Sequence, residues 1–85
     1  MARKYNQKFW KERYLNENEI KEWFKNYVSF YSEKPTLEYA VNEFIEGEKE
    51  EIEEIFTSLN NRVQAYNNVV KVMKDVKEWC DYENI

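Results

Sequence analysis

The chain has 85 residues, 17 acidic against 13 basic and no histidine, for a net charge of −4 and a pI near 4.9. Without histidine there is no Ser-His or Cys-His catalytic pair and no histidine-liganded metal site. One glycine, one proline and one cysteine also exclude Gly-rich phosphate loops, nucleophile elbows, an internal disulfide and a thiolate zinc cluster.

What remains is one small helical domain, residues 1–85. A domain of this size removes only roughly 60% of its unfolded surface on folding. With breakers so scarce and 35% of residues charged, helices are favoured over strands. The expected fold is all-α: a small bundle of three to four helices with a long C-terminal helix, continuous or kinked.

The first helix is expected over residues 3–15, where Tyr5, Phe9, Trp10 and Tyr14 fall near helical spacing. Asn16 and Glu19 are then spaced as a capping box. Ile20, Trp23, Phe24, Tyr27, Val28 and Tyr31 follow the i, i+3, i+4, i+7 rule of a helix with one apolar face. Pro35 is expected to end that helix, because the residue before a proline is pushed out of helical geometry. Thr36 caps a short third helix with Leu37, Ala40, Val41, Phe44 and Ile45 inward, and Gly47 is its natural stop. Tyr39 lies off that apolar face and is the best candidate for an exposed ring.

The last segment repeats apolar residues every four and three positions: Ile52, Phe56, Leu59, Val63, Tyr66, Val70 and Met73. Beside this seam runs a second, through Ala65, Val69, Val72, Val76 and Trp79. Together they cover roughly 200° of a helix circumference. One uninterrupted helix over residues 48–82 would be roughly 52 Å long, against a domain on the order of 30 Å across. Thr57, Ser58, Asn60 and Asn61, with an Asn61–Gln64 capping box, argue for a break. The unbroken seam argues for continuity. An arc this wide marks a helix central to its own bundle, or one shared between a core and a mate. Self-association as a homodimer is expected, with Val69, Val72, Val76 and Trp79 as the tighter contact.

Charge is polarised along the chain. Residues 33–54 hold nine glutamates against Lys34 and Lys49, a net of −7. Some of these serve helix starts, where acids meet the positive end of the dipole, but not all nine. Glu43, Glu46, Glu50, Glu53 and Glu54 are the candidate face for a protein partner with a basic surface. At the other pole, Lys4, Lys8, Lys11 and Arg13 interleave with aromatics, the composition a single-stranded nucleic-acid surface needs. The acidic balance of the whole chain disfavours that use.

Glu51-x-x-Glu54, followed by Glu78-x-x-Asp81, resembles the metal-binding spacing of the all-α nucleotide pyrophosphohydrolases related to MazG. That resemblance implies a magnesium-dependent nucleotide hydrolase. Glu51 and Glu54 flank their apolar stripe from the solvent side, Glu78 projects from a polar face and little of the sequence follows Asp81 to close a pocket, so they are not assigned as a site. Cys80 falls on the apolar face beside Trp79 and reads as a structural thiol. No enzyme activity, cofactor or metal is expected.

The absence of an apolar run long enough for a signal or a membrane span, with one free cysteine, predicts a cytoplasmic protein. The richness in Asn and Lys follows AT-rich codons, as in low-GC bacteria and their phages. In size and character the chain is similar to phage host-takeover factors, anti-CRISPRs and bacteriocin immunity proteins. The expected function is therefore a non-catalytic acidic protein that binds a partner protein and modulates or inhibits it.

Overall fold

In the computed structural model, which describes residues 6–85, each of the four longer helices begins at a residue whose side chain accepts from its open N–H groups. Asn6 accepts from the Phe9 N–H at 3.1 Å and opens α1, Gln7–Tyr14. Asn16 accepts from Asn18 and Glu19 and opens α2, Glu17–Ser29. Thr36 accepts from Tyr39 at 3.2 Å and opens α3, Leu37–Ile55. Ser58 accepts from Asn61 at 3.2 Å and opens α4, Leu59–Lys74. A single turn, α5, Val76–Trp79, and a 3₁₀ turn, Tyr82–Asn84, complete the described chain. The fold is all-α.

Two sequence expectations are corrected, and one open alternative is decided. Gly47 does not stop its helix: α3 runs 19 residues straight through it, because the apolar stripe of Ala40 and Phe44 resumes at Ile52 and Ile55. Burial of that stripe outweighs the ~1 kcal/mol that one helical glycine costs. Pro35 is not the terminator of α2, which ends at Ser29 with Phe30 as its cap. Pro35 instead precedes the Thr36 cap, and its carbonyl accepts the Tyr82 hydroxyl. The long C-terminal helix breaks twice, at the extended residue Phe56 and at Asp75. The described molecule measures 37 × 25 × 17 Å, so a helix of roughly 52 Å has no place in it.

The corner between α3 and α4 is held from a distance. A helix end leaves four carbonyls without partners. Gln7 of α1 donates to the Ile55 carbonyl at 2.7 Å and accepts from the Thr57 N–H at 3.4 Å. Arg62 donates through Nε to the Phe56 carbonyl at 2.7 Å and through Nη2 to that of Glu53 at 3.2 Å. These two side chains turn what would be a fraying end into a fixed bend.

α4 packs against α1, α2 and α3 and is the central helix. Around it Tyr14, Ile20, Phe24, Phe44, Ile52, Phe56 and Val69 form one buried cluster. Its rings meet edge to face: Phe24 with Phe44 at 5.4 Å, and Tyr14 with Phe56 at 5.8 Å. The Asn68 amide donates to the Tyr14 carbonyl at 2.8 Å, and Lys71 pairs with Glu17 at 3.1 Å, tying α4 to both ends of the α1–α2 turn.

Candidate partner-binding face

The continuation of α3 past Gly47 aligns its glutamates. With 100° per residue, Tyr39, Glu43, Glu46, Glu50, Glu53 and Glu54 lie within an arc of about 100°, over about 22 Å of helix. All six are exposed, and they lie on the side of α3 away from buried Ala40, Phe44 and Ile55. Within the described residues, Glu43, Glu46, Glu50 and Glu53 have no ion-pair partner. Had the helix stopped at Gly47, the last three acids would belong to another element pointing elsewhere.

An aromatic patch borders the strip. Tyr27, Phe30 and Tyr31 line a shallow depression at the end of α2. The Tyr27 and Tyr31 hydroxyls share a hydrogen bond at 3.1 Å, and the two rings stand edge to face at 5.5 Å. That hydrogen bond, then burial, then the nearby charge of Glu43 push the Tyr27 phenol up to about 12. The Glu43 effect and that of Tyr39 tie the patch to the acidic strip. Phe30 is 86% exposed and Tyr39 53%. Tyr39 was legible as an exposed ring. Phe30 was not singled out: it follows Trp23 by seven residues and Tyr27 by three, and it is exposed because α2 ends at Ser29, just before it.

The basic N-terminal segment is differently employed. Lys4 lies outside the described residues. Lys8 is exposed and Lys11 half-buried. The Arg13 guanidinium lies 5.3, 5.7 and 5.6 Å from the ring centres of Phe9, Trp10 and Trp23, and 3.2 Å from Glu19. It is thus held inside its own aromatic setting. Tyr14 is buried and donates its hydroxyl to Glu48 at 2.9 Å. Burial pushes the Glu48 carboxyl up, against the lowering effect of that bond, and Glu51 adds to the rise.

Val69, Val72 and Val76, expected at a self-association contact, are buried within the single chain. Trp79 packs on Phe24 at 5.9 Å and donates to the Val72 carbonyl at 3.0 Å. This seam is core because α2 covers it. Glu51, Glu54, Glu78 and Asp81 are exposed, and among the described residues no group of three or more His, Cys, Asp or Glu could hold a metal ion. Cys80 is a buried free thiol whose pKa burial pushes up. No helix of the described residues is long and apolar enough to cross a membrane.

Compared with known proteins, the chain matches no family model, no curated protein and no solved structure.

Proposed function

We propose that this protein is a non-catalytic binder that lays the acidic strip of α3 on a basic surface of a partner protein and modulates or inhibits it. The supporting observation is the combination on one surface: exposed carboxylates in line with Tyr39, next to the almost fully exposed ring of Phe30. Carboxylates steer and orient a basic partner. A ring that gains burial only on docking supplies the affinity that surface charge does not. In size and charge this arrangement suits a cytoplasmic factor of the phage host-takeover or anti-defence kind.

The test has two arms. A photo-crosslinking residue in place of Tyr39 captures the partner in native host extract, and the contact point on the partner is mapped by mass spectrometry. Association of that partner is then measured against salt for the wild type and for Glu43→Lys, Glu46→Lys, Glu50→Lys combined. The expected result is a basic contact site, an association rate that falls with salt, and loss of that dependence in the triple variant. An unchanged rate and salt slope would leave the strip as ordinary solvated surface and overturn the reading.

A further inference from the structure

The second seam of α4 became core; of the first, Met73 is buried on α4 but the four residues before it are not. Leu59, Val63, Tyr66 and Val70 lie within an arc of about 60° on α4. Leu59 is 73% exposed, Val63 46%, and the other two half-buried. Leu59, Val63 and Tyr66, with Arg62, floor one side of a groove of about 210 Å³ between α3 and α4, whose other wall is Ile52, Lys49 and Glu53. The spacing of four, three and four is that of a coiled-coil seam, in which each residue inserts between residues of a facing helix.

Charge selects the occupant. Because α3 and α4 are joined by a tight corner, the end of α3 lies beside the start of the seam, and there Glu50, Glu51, Glu53 and Glu54 outnumber Lys49 and Arg62, of which Glu53, Lys49 and Arg62 line the groove itself. The far end of the seam is basic: Lys74 follows Val70 by one turn on the same side and is exposed. A second copy laid antiparallel sets the basic end of each α4 on the acidic end of the other α3, twice over. A parallel copy would set like charge on like.

We infer that the protein pairs as a twofold dimer, with α4 antiparallel to α4 of a second copy through Leu59, Val63, Tyr66 and Val70, and Lys74 of each chain facing Glu53 of the other. The inference does not rest on the proposed function, although the two share Glu50 and Glu53; the Leu59 and Val63 variants test pairing while leaving the acidic strip untouched.

Sedimentation equilibrium of the full chain across micromolar concentrations reads the outcome directly. The expected mass is twice the 10.6 kDa of the chain. Leu59→Glu with Val63→Glu should give the single-chain mass with an unchanged far-UV circular dichroism spectrum, since neither residue is in the core. Leu59→Ser, a milder change at the same exposed position, should shift the equilibrium the same way. Lys74→Glu and Glu53→Lys should each weaken pairing about tenfold, and the two together should restore it. A wild type of single-chain mass throughout, or a dimer indifferent to Leu59 and Val63, overturns the inference. Failure of the charge swap to restore pairing overturns the antiparallel arrangement.

Discussion

The two seams of α4 are built of the same residue types at the same spacing and have opposite fates. Val69 and Val72 are buried under α1 and α2, while Leu59 and Val63 remain in water. The division also runs along the first seam itself. Ile52 and Phe56, before the corner, are buried, and Leu59, three residues beyond it, is 73% exposed. Periodicity reports that a face is apolar. Which side is covered depends on where other helices dock, and here the corner at residues 56–58 moves the seam from inside to outside within one turn.

The largest test of this contrast is truncation on either side of the corner. Phe56→Ala should cost about 3–5 kcal/mol, as expected for a large ring removed from a closed core. That is on the order of half the stability of a domain this size. Leu59→Ala, at concentrations low enough to suppress pairing, should stay within about 0.5 kcal/mol. Urea unfolding followed by circular dichroism measures both, and equal losses would erase the distinction between the two positions.

Next in size is the corner that creates the contrast. Arg62→Met keeps the aliphatic stem and removes the donors to Phe56 and Glu53. It should cost about 1–3 kcal/mol, because two carbonyls at a helix end lose a charged partner. Gln7→Leu removes both of its bonds to the same corner and should cost about 1 kcal/mol. If both variants melt like the wild type, the bend is fixed by local sequence alone.

On the outer face of α3 the expected effect has the opposite sign. Gly47 is helical with no positive φ, and a Cβ built there meets nothing within 4 Å. Gly47→Ala should therefore stabilise by about 0.5–1 kcal/mol through helix propensity. Any loss of stability in this variant would mean that the outer face of α3 is not open.

The smallest effect belongs to Glu48, at the boundary between covered and uncovered surface. Its carboxyl is pushed up in the folded state, chiefly by burial. The folded state thus holds the proton more tightly than the unfolded one, and stability falls as pH rises from the ordinary glutamate range through the raised value. Glu48→Gln keeps an acceptor for Tyr14 and cannot ionise. Its melting temperature should exceed that of the wild type at neutral pH and converge with it below the ordinary glutamate range. Parallel melting curves across pH would remove Glu48 from the boundary.

Caps were the most legible part of the fold. Asn16 and Thr36 could be read from residue type and the stripe that follows, because capping is a local interaction. The α2 stripe was equally plain, with Ile20, Phe24 and Val28 buried as its period required. Gly47 misled because its local cost is real but smaller than the burial of Ile52 and Ile55 beyond it. The break near residue 57 was half visible in the weak helix formers. Its place, residues 56–58, overlaps the window of residues 57–61, but the distant clasp on it was not legible, because Gln7 lies 48 residues away from Ile55. Of the candidate face, composition gave the glutamates and the off-stripe position gave Tyr39. Their alignment depended on an uninterrupted α3, and the exposure of Phe30 on where α2 ends.

The reach of Gln7 also orders events in time. Ribosomal synthesis delivers α1 first, yet its side-chain partners at Ile55 and Thr57 emerge about fifty residues later, after α2 and nearly all of α3. Closing so long a loop is entropically slow compared with forming the α3–α4 hairpin. The contacts of α1 with α2, such as Arg13 with Glu19, can form early, whereas the Gln7 clasp on the corner is expected to close late. Mutations at Gln7 should accelerate unfolding while leaving the refolding rate almost unchanged, the kinetic signature of a clasp that fastens after the structure it closes has formed.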